Sequence, residues 1–267
     1  MQAIEAFRDD LLASIVEHRG DVKTTALVVR NRMRDCLASE DFVAASWRWV
    51  IERIRCEPLW YKQPLIASID PLVNVHLIFW PPQFRNNPHR HNTWSVTGVV
   101  HNAVKVRTFH FADDENAQLE QDRLLGGEAG DVGYLLPGCI HSVSNESDAE
   151  ACTLHVFGGE DDEGVVTEHT IWYPSRGEGE MARGARARAI RIMVEWALAN
   201  PTAAAIEVLA ECCDIADTQQ CLEIVKRLSS LDSRRAYEKS IELEQRLRGP
   251  DRVRLGAINR ELAKAWA

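Results

Sequence analysis

The sequence has no apolar run of the roughly 18 to 20 residues that a membrane-crossing helix needs. It has no CxxC pair, and its seven cysteines (Cys36, Cys56, Cys139, Cys152, Cys212, Cys213 and Cys221) are odd in number and irregularly spaced. A disulfide framework or zinc knuckle is therefore not expected, and a reducing, cytoplasmic setting fits. The start, MQAIEAFRDD, has three acids and no apolar core, so it does not read as a secretion signal. Positive charge is scarce, with 31 Lys and Arg against 40 Asp and Glu, a net charge of −9. That balance argues against a broad nucleic-acid or anionic-membrane surface. No internal repeat or low-complexity tract is present.

What remains is an ordinary globular composition, 45% hydrophobic and 27% charged over 267 residues. The charge is unevenly placed. Residues 180–267 carry 15 basic and 13 acidic side chains, or +2, which leaves −11 for the first two-thirds. Many of those acids are expected on loops at 113–131 and 146–168.

The pattern divides the chain into three: N-terminal helices over 1–57, a β-rich segment over 58–178, and a helical segment over 179–267. Ile4, Phe7, Leu11 and Ile15 recur at helical spacing within 2–19, and Gly20 can end that helix. A second helix is predicted over 21–37. A third begins near Ser39, with Trp47, Val50, Ile51 and Ile54 on its buried face. From about Pro58 to Pro174 come short segments such as VNVHLIFW, WSVTGVV, VKVRTFHF, VGYLL, ACTLHVF and EHTIWYP, separated by turn residues. These read as strands of a sandwich or barrel. SRGEGE at 175–180 reads as a linker. Helices are then predicted over 181–199, 202–213, 218–231, 233–248 and 252–266, with Pro201 at a helix start and Gly249-Pro250 between the last two. The basic residues at 183–191 and 226–227 read as a solvated amphipathic face. The EDDEG run at 160–164 reads as an exposed loop.

Two of the nine histidines, His89 and His91, stand at i and i+2 in Pro88-His89-Arg90-His91. On a strand that spacing puts both rings on one face. About fifty residues later, GDVGYLLPGCIHSVSN places His141 just after a Pro-Gly turn. A pair on one strand and a third on a facing strand supply three imidazoles to one ion, and imidazole suits iron, zinc, copper and nickel alike. His76 and His110, in apolar strands, read as core or barrel-lining residues; His18, His101 and His169 read as surface. Trp49, Trp80, Trp94 and Trp172 read as packing.

These residues resemble the cupins over about 76–158. The first cupin motif contains HxH; the second has the frame matched by Gly130, Pro137, Gly138, His141 and Asn145. The Glu that cupins often carry after the second histidine is absent, since Ser95 and Val96 occupy its positions. The three-histidine variant, with NPHRHNTWSVTGVV and CIHSVSNESDAEACTLHVFGG, is similar to the cysteine dioxygenase family of thiol dioxygenases, most of all its bacterial Gln-type branch with the 3-mercaptopropionate dioxygenases. The resemblance implies a mainly β cupin jelly-roll barrel with helices before it. It implies Fe(II) held by His89, His91 and His141, and a small-molecule substrate oxidised with O2, a thiol becoming a sulfinate.

The family's Ser-His-Tyr trio reads Thr153, His155 and Phe157 here, so the outer hydroxyl is missing. By the resemblance Thr153 and His155 act behind the ligands, and Phe157 is cavity wall. Tyr61 and Gln63 border the substrate. No arginine stands between Phe157 and Ser175 to hold a substrate carboxylate. Either Lys62, Arg85, Arg90 or Arg107 supplies that cation, or the substrate lacks a carboxylate; Arg90 is the candidate beside the ligands. A three-histidine cupin oxygenase acting on a non-thiol substrate and a non-enzymatic ligand-binding cupin remain alternatives. The C-terminal helices lie outside the resemblance and are expected to cover the barrel or mediate a homodimer.

Overall fold

A computed structural model describes residues 2–69, 71–112, 118–158, 170–172 and 184–264. The predicted loop at 160–164, the linker at 175–180 and His169 lie outside the described residues. The chain forms two compact units. One comprises Met1–Ser46 and Leu59–Arg188; the other comprises Trp47–Pro58 and Ala189–Ala267.

The first unit begins with α1 (Gln2–Glu17), α2 (Val22–Leu37) and the start of α3 (Glu40–Cys56). The helical spacing in α1 buries Ile4, Phe7, Leu11 and Ile15. Gly20, at φ +90°, ends the connection in the left-handed region. Asp21 then caps α2, accepting a bond from Thr24 N–H at 3.0 Å. Phe7 meets Phe42 edge to face at 5.1 Å. Helix α2 lies close on a strand: a Cβ added at Gly98 would stand 2.5 Å from Leu37 Cδ1 and 2.6 Å from Met33 Sδ.

The strands are β1 (Ile66–Ile69), β2 (Leu72–Trp80), β3 (Phe84–Arg85), β4 (His89–His91), β5 (Trp94–His101), β6 (Ala103–Phe111), β7 (Leu119–Glu128), β8 (Val132–Leu135), β9 (Ile140–Asn145), β10 (Ala151–Gly158) and β11 (Thr170–Trp172). A 3-10 turn, Trp60–Lys62, precedes β1. One sheet runs β1-β2-β10-β5-β8 and the other β11-β4-β9-β6-β7, with β3 beside β9. All these pairings are antiparallel. From β7 to β11 successive strands alternate between the two sheets, and the first long strand, β2, pairs with the last long strand, β10. That is the connectivity of a jelly roll, the architecture cupins share. The mainly β barrel with helices before and after it is what the sequence leads one to expect.

One expectation is corrected. Residues 119–128 lie within a stretch read as loop, yet they form β7, paired along β6 from Phe111↔Leu119 to Ala103↔Glu128. This edge strand is largely exposed on both faces, so LEQDRLLGGE carries no alternation to announce it.

The second unit contains the end of α3, then α4 (Ala185–Ala199) from Ala189 onward, α5 (Ala203–Cys212), α6 (Thr218–Leu231), α7 (Ser233–Arg246) and α8 (Gly249–Lys264). Trp47, Val50 and Ile51 are buried as their spacing predicts, and Ile54 is only half-buried. The N-cap of α5 is Thr202, accepting from Ala205 N–H, so Pro201 stands outside the helix. Asp217 and Gln220 form a capping box on α6, and Asp232 caps α7. Helix α8 starts at Gly249, at φ +57°, so Gly249-Pro250 opens that helix and is not its spacer.

Candidate metal centre

Strand alternation builds the centre. On β4 (His-Arg-His) the first and third residues face inward and are buried, while Arg90 faces the other way. His89 pairs across to His141 on β9. Several bonds hold this register. Asn86, just before β4, exchanges bonds with Val143, its N–H reaching Val143 O at 3.1 Å and its Oδ1 accepting from Val143 N–H at 2.7 Å. Gly138, at φ +78°, donates its N–H to His91 O at 2.9 Å, tying the Pro-Gly turn to β4. Asn145 Nδ2 donates to Pro81 O and Ala149 O at 3.0 and 2.8 Å, and its Oδ1 accepts from Ser147. The Gly…Pro-Gly…His…Asn frame is therefore turn and brace around one functional side chain, His141.

His89, His91 and His141 converge. Their ring centroids lie 4.3 to 5.3 Å apart, and one ligand atom from each falls within 4.8 Å of the others. His89 Nδ1 stands 3.0 Å from Asn87 O, and His141 Nδ1 stands 3.0 Å from Cys139 O. A carbonyl only accepts, so each Nδ1 carries the proton and each Nε2 presents its lone pair. Burial pushes the His91 imidazole down to about 2, helped by the charges of His141, His89 and His155. Burial beside His89 pushes His141 down to about 4. Burial also lowers His89, against the bond to Asn87. At neutral pH all three are uncharged, the form that binds a metal. No carboxylate joins the cluster among the described residues. Three neutral donors suit a divalent first-row ion whose charge remains for further, anionic ligands.

Behind the centre runs a buried relay. Trp80 Nε1 donates to Thr153 Oγ1 at 2.7 Å, Thr153 Oγ1 stands 2.7 Å from His155 Nε2, and His155 Nδ1 stands 3.0 Å from Thr97 Oγ1. The indole can only donate, so Thr153 accepts from it and has its own proton for His155 Nε2. His155 Nδ1–H then faces Thr97. Burial, with the fields of His141, His76 and His89, holds His155 near 3, so it is neutral. Phe157 stacks on His155 at 5.6 Å and meets His91 edge-on at 4.9 Å. Thr153 and His155 thus brace Phe157, and Phe157 packs against a ligand.

The three histidines open on a cavity of about 640 Å³ between the two sheets. Its wall includes Tyr61, Lys62, His76, Arg85, His155 and Phe157. Gln63 and Arg90 are not among the described lining residues. Arg107 is not there either; it bonds Ser144 at 2.8 Å and pairs with Glu146. His110, read as core or lining, is exposed and stands 3.9 Å from Glu120. The sequence reading missed three residues. Trp80 is a hydrogen-bond donor to the relay as well as packing. Thr97 ends the relay. Arg188, part of the run read as a solvated face, is buried and lines the cavity. Only the small hydroxyl at the alternate position of WSVTGVV hinted at Thr97, and nothing local marked the other two.

No family model and no curated protein matches the chain. Among solved structures, an oxalate decarboxylase from Lactobacillus farciminis is 19% identical over 37% of this chain and 26% of its own, at a TM-score of 0.29. A DMSP lyase from Ruegeria pomeroyi is 13% identical over 40% of this chain and 45% of its own, at 0.29. The coconut allergen cocosin is 14% identical over 40% and 29%, at 0.33. The chain spans less than half of each of these proteins. Likenesses at these scores carry no argument, and the jelly-roll assignment rests on the strand order alone.

Proposed function

We propose that this protein is a cupin of the thiol dioxygenase kind, a mononuclear Fe(II) enzyme that oxidises a small molecule with O2. The substrate it fits best is a thiol, converted with one O2 to the sulfinic acid so that both oxygen atoms end on sulfur. The observation that carries the reading is the convergence of three buried, neutral imidazoles, with no carboxylate among the described residues, on a cavity of small-molecule size.

His89, His91 and His141 are the residues that would hold the ion. Its chemistry when bound would be to bring a thiolate and O2 together in one oriented site. The chain's own part is arrangement. Asn87 O and Cys139 O fix two of the imidazoles in the tautomer that presents Nε2. Phe157 covers His91 and keeps water from that side of the ring. Trp80, Thr153 and Thr97 fix the His155 ring by hydrogen bonds, and His155 stacks on Phe157, so their part is positioning. Tyr61 supplies a hydroxyl on the wall.

Phe157 also favours a second reading, a three-histidine oxygenase acting on a non-thiol substrate, because the position next to the ligands offers no hydroxyl. One experiment separates them. Protein reconstituted anaerobically with Fe(II) is given oxygen and a panel of cysteine, 3-mercaptopropionate, cysteamine and non-thiol chelates. Oxygen uptake with sulfinate formation supports the thiol reading. Uptake only with a non-thiol chelate replaces it with the second. No stoichiometric transition metal after reconstitution removes both.

A further inference from the structure

We propose that the substrate of this centre carries an apolar body, an alkyl or aryl group longer than the short polar thiols offer, and that the cavity binds this body at the end away from the three histidines. The proposal rests on the function proposed above and names its substrate class. It starts from the way strand alternation divides the cavity wall.

On β9 the lining residues are His141 and then Val143, about 7 Å further along the strand. Val143 pairs with Val106 on β6, and Val104 lines the cavity on the same face. On β5 the lining residues are Ser95, Thr97 and Val99, which stand opposite Phe157, His155 and Thr153 of β10 in that order. On β2, His76 stands opposite His155, and Ile78 opposite Thr153. Both sheets therefore change character in the same direction. Imidazoles and hydroxyls surround one end, and aliphatic side chains surround the other, roughly 14 Å away along β5 from Ser95 to Val99. Trp80 and Phe84, with ring centroids 6.2 Å apart, belong to the apolar end.

That end is one packed cluster. Trp80, Val99, Val104 and Val143 are buried in it, and Ile78, Phe84 and Val106 lie against it half-buried. A protein interior leaves few voids larger than a water molecule. A cavity of about 640 Å³ with such a wall is therefore the size and character of a ligand site. A short polar thiol held at the histidines would leave the aliphatic end against water. A longer apolar group covers it, and each methylene buried there strengthens binding about fourfold. Of the charged residues on the wall, Lys62, Arg85 and Asp131 are exposed and keep their water, and Arg188 donates to Phe79 O at 3.2 Å.

The test is calorimetric binding to the full chain of ethanethiol, butanethiol and hexanethiol, with 3-mercaptopropionate and the alcohols of the same three lengths beside them. Affinity should rise about fourfold per methylene along the thiols, and hexanethiol should bind more tightly than 3-mercaptopropionate. Affinities that stay level along the series, or tightest binding of 3-mercaptopropionate, overturn the proposal. Val106→Trp, which fills the apolar end, should bring the hexanethiol-to-ethanethiol affinity ratio down towards one. A ratio that stays at the wild-type value overturns the proposal, because the chain then lies elsewhere. If Val106→Trp does not fold, Val106→Thr decides. Its hydroxyl against the chain should cut the ratio about fivefold or more, and an unchanged ratio counts as refutation. The two readings fail separately. Alcohols with the same dependence on length and on Val106, bound by a protein that takes up no oxygen with any thiol, would remove the oxygenase and leave the apolar subsite standing. Oxygen uptake and sulfinate formation with thiols whose affinity ignores chain length would do the reverse.

Discussion

Both units bury titratable side chains, and they do so in opposite ways. In the barrel, His89, His91, His141 and His155 are buried, no carboxylate joins the three-histidine cluster among the described residues, and loss of water lowers all four imidazoles so that they are neutral. In the helical unit, Lys239 is 6% exposed yet stays charged, bonded to Asp214 and Glu242 at 2.9 Å each. Asp214 also meets Arg55 at 2.6 Å and Arg246 at 3.2 Å. Burial works against the Asp214 carboxylate, and the Lys239 bond with the charges of Lys239, Arg55 and Arg246 outweighs it, so its carboxyl stays below the ordinary value. Charges paired in this way join helices. Neutral imidazoles turned toward a cavity are in the protonation state that a metal ion needs.

The largest effect expected from this contrast is loss of the ion. His141→Ala should leave no Fe(II) on the protein after gel filtration, because two imidazoles do not complete the centre. Full retention, read by metal analysis, would take His141 out of the ligand set.

Acid comes next. His91, His155 and His141 sit near 2, 3 and 4 in the folded protein and near 6.5 when unfolded. The unfolded chain therefore takes up protons first. The stability these groups contribute is whole above about pH 6.5 and falls as pH drops, by about 1.4 kcal/mol per pH unit for each histidine until its folded value is reached. The Asp214 pair contributes to this loss only as pH falls through the ordinary carboxylate value of 3.8 and below it. Thermal midpoints of metal-free protein should fall steadily from pH 6.5 to 4.5. A flat profile there would break the comparison.

Thr153→Val keeps the shape but leaves Trp80 Nε1 and His155 Nε2 without their partner. It should cost about 2 kcal/mol in denaturant titration while iron binding persists. Lys239→Met is the mildest case. Arg55 and Arg246 continue to neutralise Asp214, so the loss should be about 1 kcal/mol, with metal content unchanged. A loss as large as that of Thr153→Val would mean the helical unit depends on that charge more than the geometry implies.

How much of this was legible in the sequence follows from how far apart the partners lie. The buried faces of α1 and α3, the strand alternation of β2 and the HxH spacing depend on neighbours within a turn or two, so they show in local periodicity. Gly138 and Asn145 could be noticed as a motif, though not as the brace they form around His141. Arg90 was a candidate for the substrate, but alternation on β4 already sends it to the opposite face from His89 and His91. β7 stayed hidden because an exposed edge strand needs no apolar stripe. Trp80 meets Thr153 across 73 positions, and Thr97 meets His155 across 58. Those meetings depend on strand register.

The sequence by itself determined the elements and the donor set: helices, then strands, then helices, and three histidines at spacings that two facing strands can bring together. Local periodicity and side-chain chemistry suffice for that. The tertiary structure alone decided that the imidazoles are neutral, that Phe157 lies between the relay and a ligand, and that an arginine from an apparently solvated run is buried in the cavity wall. Each of these depends on which groups are removed from water together, and only the pairing of sheets and the packing of helices against them sets that.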